Sequence, residues 1–158
     1  MADEDEVVTR AGQTVRLRQI EPEDEPRLHD FFARMSTQDV RMRFLQPLKR
    51  LPEALAHRLS HLDGAGEEAL LAFDASGEEL LGIVRLAAEP GSTRTEFALA
   101  VRSDRQGLGL GRLLMTRMLE DAWTRRLAEA FGDVLAENHR MPVLCRSLGA
   151  EIRPHPGV

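Results

Sequence analysis

Between Glu96 and Leu114 a strand pattern, a glycine turn and a helix pattern follow one another without a break, and no other stretch limits the fold so closely. Glu96-Phe-Ala-Leu-Ala-Val101 alternates large and small apolar residues, which suits a strand. Gly107, Gly109 and Gly111 follow at alternate positions. The chain then enters a long helix, roughly Gly109 to Arg126, with Leu110, Leu113, Leu114, Met118 and Ala122 on one face. A junction of this kind makes an anion site. Glycine lets the backbone approach a ligand, and the first amides of a helix have no intrahelical acceptor. Together with the positive end of the helix dipole they favour a phosphate or pyrophosphate. A P-loop would need Gly-Lys-Ser/Thr, whereas Arg112-Leu113 follow the last glycine. A dinucleotide fingerprint would need a wider third glycine spacing and a strand soon afterwards, and neither is present.

With 158 residues the chain suits one domain that buries about two-thirds of its unfolded surface. The net charge of -5 argues against non-specific nucleic-acid binding and suits the attraction of a cationic amine. No row of aromatic residues offers a stacking platform for single strands. Cys145 is the single cysteine, so an internal disulfide is impossible and a reducing compartment is expected. The acidic start, Met1-Ala-Asp-Glu-Asp-Glu6, lacks the pattern of a secretory signal, and no apolar run approaches the ~20 residues of a membrane span. These features point to a cytoplasmic protein.

Residues 1–12 read as a flexible acidic leader and residues 13–158 as a single α+β domain. A first strand is expected over Gln13–Ile20, and a helix opens at Glu21-Pro22 with Leu28, Phe31, Phe32 and Met35 on its apolar face. Ser36 offers the cap of a second helix through Arg41, Arg43 and Phe44, which Pro47 ends. A third short helix is expected over Leu51–His61. The runs Glu68–Phe73 and Leu80–Ala87, split by Asp74-Ala-Ser-Gly77, predict a hairpin that continues antiparallel into the strand ending at Val101. Phe131–Ala136 is expected as a further strand, parallel to the motif strand through a helical crossover. Asn138 then caps a last helix that turns Leu144, Cys145 and Leu148 inward and stops at Gly149.

The string Gln106-Gly-Leu-Gly-Leu-Gly111 resembles the acetyl-CoA motif of the GNAT superfamily of N-acetyltransferases, Arg/Gln-x-x-Gly-x-Gly/Ala. The element order β-α-α-β-β-β-α-β-α agrees with that superfamily from about Val15 to Gly149. Ile20-Glu-Pro-Glu-Asp-Glu-Pro-Arg-Leu-His-Asp-Phe-Phe32, Arg41-Met-Arg-Phe44, Glu96–Asp104 and Val134-Leu-Ala-Glu-Asn138 with Met141 look more narrowly like bacterial Pat-type protein lysine acetyltransferases. The resemblance implies three layers, α/β/α, around a mixed, mostly antiparallel sheet with a parallel splayed pair at the acetyl-CoA site. It implies that backbone groups of Leu99 and Val101 meet the pantetheine arm. Amides of Gln106, Gly107, Leu108, Gly109, Leu110, Gly111 and Arg112 would hold the pyrophosphate, and Asn138 would reach the pantetheine. The family's partner modules, related to acyl-CoA synthetases or cyclic-nucleotide-binding domains, are not expected in so short a chain. Many superfamily members place a tyrosine in the last helix to protonate the departing thiolate, where alignment from Asn138 puts Cys145. A closing strand usual after Gly149 is not legible in Glu151–Val158, so it is expected to be missing or truncated.

Transfer to an amine needs a base, because an alkylammonium with pKa near ~10.4 must lose a proton before it attacks a thioester. Glu96 is the candidate. Strand alternation puts it on one face with Ala98 and Ala100, while Phe97, Leu99 and Val101 face the other way, and small neighbours leave room for substrate. The Pat-type resemblance places the base at this glutamate too; the alternative is a solvated carboxylate or a salt bridge to Arg94. Arg41 and Arg43 either line the acceptor mouth or pair with surface acids. His57 and His61 stand at i, i+4, but the sequence offers no third ligand and no metal is expected. The acceptor expected from the resemblance is a protein lysine, such as one on an acyl-CoA synthetase. A small amine, or a non-catalytic acyl-CoA sensor, stays open.

Overall fold

Apolar alternation and short turns lay down a meander. The computed structural model describes residues 4–46, 48–62, 66–124, 128–135 and 138–153. Strands β1 (Asp5–Val8), β2 (Thr14–Gln19), β3 (Glu67–Phe73), β4 (Leu80–Ala88) and β5 (Arg94–Val101) pair antiparallel in sequence order. A short β6 (Glu129–Phe131) then joins β5 in parallel. The helices are α1 (Glu25–Ala33), α2 (Thr37–Phe44), α3 (Glu53–Ser60), α4 (Leu110–Thr124) and α5 (Arg140–Ser147).

Side-chain alternation divides the core between two faces of the sheet. Val15, Leu17, Ala72, Val84 and Leu86 pack with Leu110, Leu114, Met115 and Met118 of α4, and with Cys145 of α5. Leu71, Phe73, Leu80 and Ala100 point the other way, against Leu28, Phe31 and Phe32 of α1, Val40 of α2 and Ala56 of α3. The result is the expected α/β/α arrangement. Burial of apolar area at about 25 cal/mol per Å² holds both layers.

One buried ion pair fixes the entry to α1. Asp24 is 1% exposed and accepts two hydrogen bonds from Arg18, at 2.6 and 2.7 Å, and one from the Glu21 amide at 2.8 Å. Arg18 also lies 4.5 Å over the Phe73 ring, so β2, β3 and α1 meet at one guanidinium. Burial pushes the Asp24 carboxyl up, but the Arg18 hydrogen bond, the Glu21 amide and the nearby positive charges outweigh it. The carboxyl is held below its ordinary value.

Two expectations need correction. The leader is not wholly a leader: Asp5–Val8 is an edge strand paired with β2. Its order comes from the ladder and from a tight turn in which the Thr9 amide donates to the Gln13 carbonyl at 2.8 Å, not from an apolar pattern. Arg117, on α4, adds a 2.8 Å ion pair to Asp5. The second correction moves β6 back to Glu129–Phe131, with residues 132–135 outside any strand. Gly132 explains the break, because a Cβ there would stand 3.1 Å from the Phe97 ring and 3.2 Å from its carbonyl oxygen. The chain touches β5 at that glycine and then leaves it. Ala136 lies outside the described residues, as do Pro47 and residues 154–158, where a closing strand was to begin. Among the described residues, no helix is long and apolar enough to cross a membrane.

Candidate active site

The parting of β5 and β6 creates a wedge. Pairing covers only Arg94–Glu96 against Glu129–Phe131. On β5, the Arg94 carbonyl and the Arg102 amide both bond toward the β4 side, to the Glu89 amide and the Leu81 carbonyl. Backbone groups alternate in direction along a strand, so Leu99 and Val101 turn theirs to the opposite edge, the one β6 abandons. A strand edge left without a partner strand can pair with an extended amide-bearing chain.

The mouth of the wedge leads to the start of α4. Gly107 and Gly109 have φ of 79° and 86°, a region costly for residues with a Cβ. The first amide after the turn with a protein acceptor is that of Leu113, bonded to the Gly109 carbonyl at 3.0 Å. Amides of Gly107 and of residues 109–112 have no hydrogen bond to a backbone or side-chain acceptor among the described residues. They are unfilled donors at the turn where the glycine spacing leads one to expect an anion. The Leu110 side chain is 1% exposed in the core, so only its backbone can serve a ligand. Arg112 bonds Ser147 on α5 at 2.7 Å and thereby ties this turn to the last helix.

A network absent from the sequence reading braces this turn. The Gln106 side-chain amide donates to the Val101 carbonyl at 3.1 Å and to Asp39 Oδ2 at 2.9 Å. Ser103 Oγ donates to the same carboxylate oxygen at 2.6 Å and accepts from the Ser36 amide at 2.7 Å. Ser36 caps α2 as its spacing predicted, taking the Asp39 amide at 3.0 Å. The start of α2 is therefore bolted to the anion loop. The partners are 64 to 67 residues apart, a distance no local pattern can signal.

Glu96 stands where pairing with β6 ends, on the sheet face that carries α1–α3. Its carboxylate is exposed and has no hydrogen bond or ion pair among the described residues. Arg94 does not neutralise it, being engaged with Glu89 and Glu129, each at 2.9 Å. On the same face Arg85 lies opposite Ala98 and donates to Glu67 at 2.7 Å, while its buried Nε has no partner. Half-buried Arg43 completes the group. Burial and the Arg85 charge pull its guanidinium down to about 10, with Glu96 acting against them. Arg43 and Arg85 border a small apolar hollow lined by Leu28, Phe31, Phe32 and Ile83. Arg43 thus lies on the sheet face that carries Glu96, and Arg41 is not among the residues that line the hollow.

Comparison with known proteins agrees with the geometry. The acetyltransferase (GNAT) domain family matches the chain over residues 14–151. The chain belongs to the GNAT acetyltransferase family. A curated acetyltransferase of Pseudomonas aeruginosa is 31% identical over 140 residues, spanning 87% of this chain and 75% of the relative. Among solved structures, the GNAT domain of S. lividans PAT superposes with a TM-score of 0.84 at 29% identity, covering 92% of this chain and 86% of that one. A cAMP-binding acyltransferase from Mycobacterium smegmatis shares the fold, with a TM-score of 0.69 at 24% identity over 95% of this chain and 44% of its own. The reaction of this GNAT domain is N-acetyl transfer.

Two further residues of the GNAT domain fall near α5. Asn138 accepts the Met141 amide at 3.2 Å, so its oxygen caps α5 while its amide nitrogen is free of that duty. Cys145 is 6% exposed among core side chains, and burial pushes its thiol up. The surface pair His57 and His61 does have a third neighbour, Glu25, which the sequence did not reveal.

Proposed function

We propose that this GNAT domain transfers acetyl from acetyl-CoA directly to the side-chain amine of a protein lysine, in the cytoplasm. The observation that carries the reading is Glu96, an exposed carboxylate with no ion pair within 4 Å among the described residues, at the point where the pairing of β5 and β6 ends. Its support is the 29% identity to the GNAT domain of S. lividans PAT over most of both chains. The β5 edge at Leu99 and Val101, where Gln106 holds only the Val101 carbonyl, takes the pantetheine arm, with Asn138 approaching from the opposite side. Amides of Gln106, Gly107, Leu108, Gly109, Leu110, Gly111 and Arg112 take the pyrophosphate, a fit supported by the lack of protein acceptors for residues 109–112.

Glu96, directly or through one water, accepts a proton from the acceptor ammonium. The freed nitrogen lone pair attacks the thioester carbonyl, and an outward amide of β5 stabilises the oxyanion. The nitrogen sheds its second proton to solvent as collapse breaks the C–S bond, leaving the N-acetyl product and the CoA thiolate, which takes up a proton from solvent. The net charge of -5 favours approach of a cationic acceptor.

The test is CoA release with folded lysine-bearing proteins, an acyl-CoA synthetase among them, and with a panel of small amines, followed by mass spectrometry of each acceptor. Acetyl-lysine on a folded protein is expected. Turnover confined to small amines would replace the acceptor, and tight acetyl-CoA binding with no turnover at all would make the domain a sensor.

A further inference from the structure

We propose that Glu25, His57 and His61 form a site for a divalent transition metal of borderline softness, with zinc as the type case, that clips α1 to α3. His57 lies in the last turn of α3 and His61 is the residue just past its end, with rings stacked at a centroid separation of 3.7 Å. Glu25, the first residue of α1, reaches both: its Oε1 is 3.2 Å from His57 Nδ1 and 3.8 Å from His61 Nδ1. One donor atom from each residue lies within 4.8 Å of the other two. Donors on tetrahedral zinc, with bonds of about 2.0–2.1 Å, stand roughly 3.3 Å apart. Both imidazoles must rotate out of their stack, so that each ring plane contains the ion, to close the difference.

The donor set selects the cation. Two imidazoles and one carboxylate suit zinc and its neighbours, whereas calcium and magnesium prefer oxygen alone. The side chains of His57, His61 and Glu25 are 63%, 36% and 29% exposed, so an ion can enter from solvent and water can fill its remaining positions. His61 must turn away from the His57 carbonyl and Ser60 Oγ, each 2.9 Å from its Nδ1. One Glu25 oxygen thus has two imidazole nitrogens within 4 Å, from residues one helical turn apart. Inward from this cluster, Leu28 and Phe31 of α1 and Leu59 of α3 border the hollow next to Arg43. A metal here would hold that roof in place. The inference does not depend on which amine is acetylated.

The probe is zinc chloride added to the metal-free chain, read by calorimetry and thermal unfolding. One zinc per chain is expected, with the unfolding midpoint raised by about 5 °C at saturation. His57→Ala and His61→Ala should each weaken binding at least about tenfold, and Glu25→Gln should weaken it measurably. His57→Gln, which can still donate to Glu25, guards against an effect of misfolding. Absence of zinc binding, or affinity unchanged in both alanine variants, overturns the proposal. So does Glu25→Gln binding zinc as tightly as the parent, because the site would then be one helix and not two.

Discussion

Cys145 occupies the position where the family resemblance looks for an acid, yet its surroundings are those of a core side chain. Burial raises the thiol above its usual value, so very little thiolate exists at neutral pH and the sulfur is shielded from reagents. Cys145→Ala should leave kcat within about twofold and cost roughly 1 kcal/mol of stability. Steady-state rates and chemical unfolding check both halves, and a large fall in kcat with stability intact would return Cys145 to the chemistry. Gln106 shows the converse. Its amide belongs to the motif that sequence reading recognised, while its side chain does structural work that the motif does not announce.

At the level of elements, the meander, the helix caps and the strand–glycine–helix junction were all legible, because each depends on residues close in sequence. Ser36 capping α2, Gly149 closing α5 at φ 91° and the apolar face of α4 are of that kind. Asp5–Val8 was not legible, since most of its side chains are exposed and pairing alone defines it. The early end of β6 was hidden for a different reason: it depends on the Phe97 ring against Gly132, a tertiary contact. The tie between α2 and the anion loop is equally non-local. Asp39 receives both Ser103 and Gln106, so Asp39→Ala should loosen the loop and raise the acetyl-CoA Kd about tenfold, a loss of about 1.4 kcal/mol. Asp39→Asn should recover part of that affinity. Titration calorimetry of both variants measures it, and unchanged affinity in Asp39→Ala would mean the brace does not position the loop.

For the molecule as a whole, the Arg18–Asp24 pair makes stability depend on acid. The folded state holds the Asp24 carboxyl below its unfolded value, near ~3.9. Its contribution is therefore complete above about pH 4 and is lost as pH falls through the folded value. Asp24→Asn should cost about 3 kcal/mol at neutral pH and less at lower pH, where the parent loses the same interaction. Urea unfolding of both proteins across the acid range tests this, and a cost that does not change with pH would contradict it. The proposed reaction rests on two separate parts of the fold, the amides at the start of α4 and the Glu96 carboxylate where β5 and β6 part. The most direct measurement is kcat for Glu96→Gln with a lysine-bearing acceptor, alongside its acetyl-CoA Kd. The account predicts a fall in kcat of about 100-fold or more with Kd within about twofold of the parent. Unimpaired turnover in Glu96→Gln would contradict it.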